Sequence, residues 1–148
     1  MELPVLNFPK KYNFQIKEEK SLWYIFDEVR KKWLILTPEE WVRQHIIFYL
    51  KSEKKIPQSA FIIEKKINLN QQTKRLDILL YKKSEPRLLV ECKAPEIPIT
   101  QTTFEQAARY NTQIKSKYIL LTNGFKHLYF SYDPVYNQYK IVADFDWS

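Results

Sequence analysis

Lys74-Arg75-Leu76-Asp77-Ile78-Leu79-Leu80-Tyr81, then Leu88-Leu89-Val90-Glu91-Cys92-Lys93-Ala94-Pro95 after a short polar break, are the stretches that decide how this chain folds. Each is an apolar run of strand length, and the six polar-rich residues between them suit a hairpin. Each also carries charge where a strand would normally be dry. On a strand alternate side chains share a face, so Glu91 and Lys93 point one way and Cys92 the other. Pro95 stops the second strand. Asp77 sits inside an apolar run and must find a partner or be desolvated at a cost. A hairpin brings Asp77 and Glu91 within several ångströms of each other.

Outward from this hairpin the chain reads as one domain, 1–148. Its 148 residues suffice for one core and are too few for two ordinary ones. Residues 1–36 form an N-terminal extension. Met1 to Lys10 is an arm with two prolines; Tyr12–Ile16, Leu22–Phe26 and Lys32–Leu36 follow as a small β meander, with Lys17–Lys20 as a turn. Thr37-Pro38-Glu39-Glu40 starts a helix: Thr37 caps, Pro38 takes the first position, and Glu40 completes a capping box. That helix runs to about Glu53. Val42, Ile46, Tyr49 and Leu50 share one face, and Glu39 falls on the same face, with Glu40 rotated away from it. Phe61–Leu69 is a strand, and the two strands quoted above follow it. Thr100 or Thr102 caps a second helix reaching about Gln113. Lys117–Thr122 is a strand ended by Asn123-Gly124, and Lys126–Ser131 with Gln138–Val142 makes a closing hairpin. Over 37–131 the order α-β-β-β-α-β, with 132–148 as terminal strand and tail, predicts an α/β fold: a mixed sheet flanked by helices.

Composition excludes several functions. One glycine leaves no phosphate-binding Gly-rich loop and argues against tight turns, and no nucleotide-motor motif is present. One cysteine excludes an internal disulfide and a cysteine-based zinc site, and suits a reducing cytoplasm. His45 and His127 lack metal-ligand spacing, and His45 reads as packed or surface. No long apolar run argues for a membrane. The net charge of +7, with clusters such as Lys65-Lys66 and Lys74-Arg75, points to a polyanion, nucleic acid above all, or else to a merely solvated surface.

Two carboxylates in one place repel, and a hard divalent cation relieves the repulsion. Oxygen ligands suit Mg²⁺, with Mn²⁺ as a substitute, and Lys93 beside them can orient a water. The competing reading is an ion pair between Asp77 and Lys93 with Glu91 at the strand edge. Cys92 faces the core with no histidine partner, so it is a small hydrophobe rather than a nucleophile. Trp23, Trp33, Trp41 and Trp147 read as core aromatics, with base stacking as the alternative.

Asp77, then Glu91-x-Lys93 one hairpin later, resembles the signature of the PD-(D/E)XK nuclease superfamily, whose restriction-endonuclease-like core has the same α-β-β-β-α-β order. Thr37-Pro38-Glu39-Glu40-Trp41-Val42-Arg43-Gln44, Arg75-Leu76-Asp77-Ile78, Leu89–Pro95 and Leu121-Thr122-Asn123-Gly124 resemble, more narrowly, the N-terminal nuclease domain of type I restriction enzyme R subunits. Leu76 stands where the superfamily name has proline. The resemblance implies a Mg²⁺-dependent DNA endonuclease. Asp77, Glu91 and the Cys92 carbonyl would bind metal, and Lys93 would position the hydrolytic water. A helix carboxylate would join them: Glu39 by its face, or Glu40, which already has the capping role. Gln106 and Tyr110, one helical turn apart, are similar to a Q-x-x-x-Y element and would contact DNA or order the site. Lys74 and Arg75 would meet phosphates. The implied partners are DNA and restriction-modification subunits or a translocase, since no translocase is encoded here. The alternative is the same fold kept as a non-catalytic nucleic-acid- or protein-binding module.

Overall fold

The computed structural model describes residues 2–148, so Met1 lies outside the described part of the predicted arm. Its elements are β1 (Ile16–Glu19), β2 (Leu22–Asp27), β3 (Lys32–Ile35), α1 (Pro38–Ser52), a short 3-10 turn (Gln58–Ala60), β4 (Phe61–Leu69), β5 (Gln72–Lys82), β6 (Glu85–Cys92), α2 (Gln101–Ile114), β7 (Tyr118–Thr122), β8 (His127–Asp133) and β9 (Gln138–Val142). β1 to β3 form an antiparallel three-stranded sheet. β4 to β9 form a six-stranded sheet in sequence order. Among the described residues only the β6–β7 pair is parallel, joined by the α2 crossover. The protein is α/β with a mixed sheet, as the sequence predicts.

The sheet's pleat sorts its apolar residues between two layers. Ile78, Leu80, Leu88, Val90 and Leu120 pack under Val42, Ile46, Ile47 and Leu50 of α1. Leu79, Leu89, Ile119, Leu121 and Phe130 pack under Ala107 and Tyr110 of α2. A central strand buried on both faces needs an unbroken apolar run, and Leu88-Leu89-Val90 supplies it. Thr37 caps α1 through its hydroxyl, which accepts from the Glu40 amide at 3.0 Å, and Thr100 caps α2.

Two expectations are corrected. The first strand is Ile16–Glu19, not Tyr12–Ile16, so the predicted Lys17–Lys20 turn is mostly strand. Tyr12 and Phe14 alternate like strand residues but lie on α1, with ring centroids 5.8 Å and 4.8 Å from Phe48 and Phe14 also 4.8 Å from His45. Tight turns also form without glycine. Lys20-Ser21, Asn70-Gln71 and Lys83-Ser84 join three hairpins with both residues at positive φ. That is the two-residue turn whose twist matches the strands, and here ordinary side chains accept the strain.

The single glycine has a separate role. Gly124 has φ +90°, and a Cβ there would lie 2.8 Å from Leu6 Cδ2. The N-terminal arm docks on this turn: the Asn7 amide donates to the Gly124 carbonyl at 2.8 Å. Gly124→Ala is therefore expected to lower stability by about 1–3 kcal/mol through backbone strain and displaced Leu6, read from urea unfolding. Wild-type stability in this variant would overturn the packing argument.

Candidate active site

Asp77 sits where the pleat breaks. β4 and β5 pair at Ile63↔Ile78 and Lys65↔Leu76, but the intervening Glu64–Asp77 pair drops out, and Glu64 has φ +54°. Leu76 and Leu79, three apart, both join the α2-side layer, which normal alternation forbids. Such a bulge re-aims a side chain. On the other side, Ile78↔Val90 is the last β5–β6 pair in this direction. Asp77 and Glu91 are thus the next residues on two strands that are separating. The Cys92 amide, free of the ladder, donates to Asp77 Oδ2 at 2.8 Å.

The other Asp77 oxygen is held by a residue the sequence reading quoted without a role. Arg43 of α1 donates to Asp77 Oδ1 from Nε at 3.1 Å and Nη2 at 2.6 Å. The alternative ion pair thus forms with Arg43, and not with Lys93, among the described residues. Arg43 Nη1 also reaches Glu40 Oε1 at 2.5 Å and Glu64 Oε1 at 3.5 Å, and Nη2 reaches Glu39 Oε1 at 3.6 Å. Burial opposes its charge, but Asp77 and Glu40 more than compensate and keep the guanidinium ionised.

The expected burial of the two helix carboxylates is reversed. Glu40 is the buried one, with 6% exposure, and it accepts from Gln44 Nε2 at 2.9 Å. The Glu39 side chain is about half exposed. Glu39 nonetheless feels the site: burial and then Asp77 push its pKa up, while Arg43 and Lys93 pull it down. The network continues into the N-terminal extension. Gln44 also donates to Asp27 Oδ2 at 3.0 Å, and Arg30 donates to the same oxygen at 2.7 Å. Burial would raise the Asp27 pKa, but bonds from Arg30 and Gln44 win and hold it below the usual value. Arg30 also pairs with Glu64 at 3.1 Å. The small sheet is tied to α1 by charge as well as by packing.

Glu91 differs from Asp77 in having a carboxylate oxygen with no partner among the described residues. It is buried, and its Oε1 has no hydrogen-bond partner. Burial first, then the Asp77 charge, push its pKa up to about 8, with Lys93 acting the other way. On α2, Tyr110 is buried, with its pKa raised by burial and then by the Glu91 charge, and Gln106 lies one helical turn before it. Cys92 packs in the α1-side layer with its thiol pKa raised by burial, as expected of a small hydrophobe. His45 is likewise packed, its Nδ1 2.8 Å from the Trp41 carbonyl, with burial driving its pKa down to about 4. Trp33 is the tryptophan that departs from the core reading, at 36% exposure. Arg75 is exposed at the rim, with Lys74 half-buried beside it.

Among the described residues no three acidic, histidine or cysteine side chains converge closely enough to form a ready cation cage. The donor chemistry still fits a hard divalent cation. Six carboxylates, Asp27, Glu39, Glu40, Glu64, Asp77 and Glu91, share four cations, Arg30, Arg43, Arg75 and Lys93. A buried carboxylate oxygen is left without a partner beside the first of the strand carboxylates. Oxygen-rich, anion-excess surroundings of this kind suit Mg²⁺ or Mn²⁺. No described helix is long and apolar enough to cross a membrane.

A family model described as the type I restriction enzyme R protein N terminus matches residues 38–145, and so takes in the whole six-stranded sheet and both helices. No curated protein matches the chain.

Proposed function

We propose, from a chain that belongs to the type I restriction enzyme R protein N-terminal family, that it is a metal-dependent endonuclease domain acting on DNA in a restriction-modification system. The observation that carries this reading is the pair Asp77 and Glu91 on separating strands, with a partnerless buried oxygen on Glu91 and Lys93 at the strand end. Asp77, Glu91 and the Cys92 carbonyl would hold Mg²⁺ or Mn²⁺, with Glu39 at the open side. When bound, the cation supplies Lewis-acid stabilisation of charge on the phosphate oxygens. The chain's own residues do the rest. Lys93 orients the attacking water and offsets phosphate charge. Gln106 and Tyr110, one turn apart on α2, would steady the scissile strand. Lys74 and Arg75 at the rim meet backbone phosphates, which gives salt-dependent affinity with little base choice. Water oxygen bonds to phosphorus as the bond to the 3′ oxygen breaks, and the water's proton passes to solvent. The products are 5′-phosphate and 3′-hydroxyl ends, and the 3′ oxygen takes its proton from solvent. Restriction-modification subunits or a translocase would direct the domain to DNA, and a cytoplasmic location accords with the single reduced cysteine.

Plasmid cleavage with Mg²⁺ or Mn²⁺ tests the proposal. Wild type is expected to nick or linearise DNA, and Lys93→Ala to be slower by roughly a hundredfold or more, with its fold intact by circular dichroism. Equal rates would remove Lys93 from the mechanism. The capture of Asp77 by Arg43 favours one rival, a binding module without turnover. DNA binding with no cutting under either metal would select it.

A further inference from the structure

Arg43 has more acidic neighbours than a structural ion pair requires. Arg43 is 7% exposed, and its guanidinium lies within 4.0 Å of four carboxylates. They divide by nitrogen. Nη2 faces Asp77 and the half-exposed Glu39, and Nη1 faces Glu40 and Glu64. A buried cation that loses its sole partner is left uncompensated, and that is strongly unfavourable. Arg43 can lose Asp77 and still keep a 2.5 Å bond to Glu40, with Glu64 at 3.5 Å on the same nitrogen. Asp77 in turn keeps the Cys92 amide on Oδ2 when Arg43 leaves Oδ1. Each side of the contact has something to fall back on.

We propose that Arg43 is an exchangeable counter-ion of the metal site: it occupies Asp77 Oδ1 in the metal-free protein and cedes that oxygen to a divalent cation by shifting onto Glu40 and Glu64. This rests on the metal-site reading above. Arg43 is thus a positioning residue. It keeps Asp77 in place and offsets the charge of the carboxylates around it, and it sets the strength of metal binding. A fixed positive charge beside a ligand opposes a second cation there, strongly so in a partly desolvated site.

Mn²⁺ titration by calorimetry in the absence of DNA reads this directly, with thermal melts confirming folding. Arg43→Gln is expected to bind Mn²⁺ at least tenfold more tightly than wild type, and Arg43→Lys, which keeps the charge, to stay within a few-fold of it. Unchanged or weaker affinity in folded Arg43→Gln would overturn the proposal. Should the single variant not fold, the double variant Arg43→Gln/Glu40→Gln removes the Arg43–Glu40 pair together, so that Glu40 is not left as a stranded charge. Measured against Glu40→Gln alone, it is expected to show the same tenfold gain, and equal affinity would overturn the proposal. Wild type and all the glutamine variants failing alike to bind Mn²⁺ would defeat the metal-site reading itself and this inference with it. Binding by wild type without the gain defeats the inference alone.

Discussion

Asp77→Ala is expected to destabilise the protein by roughly 3 kcal/mol before any effect on catalysis is measured. Both carboxylate oxygens are committed, Oδ1 to Arg43 and Oδ2 to the Cys92 amide. Alanine leaves a buried N–H without an acceptor and a buried guanidinium with one partner fewer. Glu40 and Glu64 keep the loss below that of a fully stranded charge. Asp77→Asn retains an acceptor for one of the two donors and is expected to cost less than half as much. Urea unfolding at neutral pH separates the two variants, and an alanine variant within 0.5 kcal/mol of wild type, roughly the effect of an ordinary surface change, would refute the argument. Loss of DNA cleavage in Asp77→Ala therefore says little alone; the asparagine variant is the sharper probe of chemistry.

Glu91→Gln is expected to do the opposite in the metal-free protein: stabilise it at alkaline pH while abolishing Mn²⁺ binding. The Glu91 carboxyl has its pKa raised from 4.5 to about 8 in the folded state. A raised carboxyl pKa means that the folded protein holds the proton more tightly than the unfolded chain. Between pH 4.5 and about 8 the unfolded chain is ionised there while the folded protein is protonated. Stability therefore falls as pH rises through that window, by up to about 1.4 kcal/mol per unit from this group, and levels off above it. Asp27, whose pKa is lowered, contributes with the opposite sign and titrates at lower pH. The difference between wild type and Glu91→Gln isolates the Glu91 contribution. At pH 8 the variant should be more stable by up to roughly 4 kcal/mol, and near pH 4.5 the two should converge. A pH-independent difference would mean that Glu91 is not held neutral by burial.

How much of this was legible in the residues depends on the range of the physics. Phe61–Leu69 and Gln138–Val142 were read to the residue, and the Thr37 and Thr100 caps were both among the sequence expectations, because alternation and capping are local. The Asp77–Glu91 juxtaposition was legible because a hairpin fixes it. The role of Arg43 was not. An arginine three or four residues after a glutamate is commonplace on helix surfaces, and its decisive partner lies 34 residues away. The Glu39 and Glu40 burial reversal has a related cause. A face count assumes one buried face, but α1 buries Glu40, Arg43, Gln44 and His45 as well as Val42, Ile46 and Leu50. The N-terminal arm and small sheet cover a second side of it. Tyr12 and Phe14 were misread because alternating aromatics serve a strand or a helix-covering arm equally well.

The three two-residue hairpin tips have a practical consequence for dissecting the site. Lys20, Ser21, Asn70, Gln71, Lys83 and Ser84 all hold left-handed backbone, and five of them carry residues poorly suited to it. Each such residue forfeits about 1 kcal/mol relative to glycine or asparagine. The forfeited stability sits at loop tips, outside the hydrogen bonds and ion pairs that converge on Asp77. An Asn-Gly graft at these tips would yield a hardened scaffold with the carboxylates unchanged. Neutralising and charge-reversing substitutions at Arg43, Asp77 and Glu91 could then be compared one by one in protein that stays folded throughout.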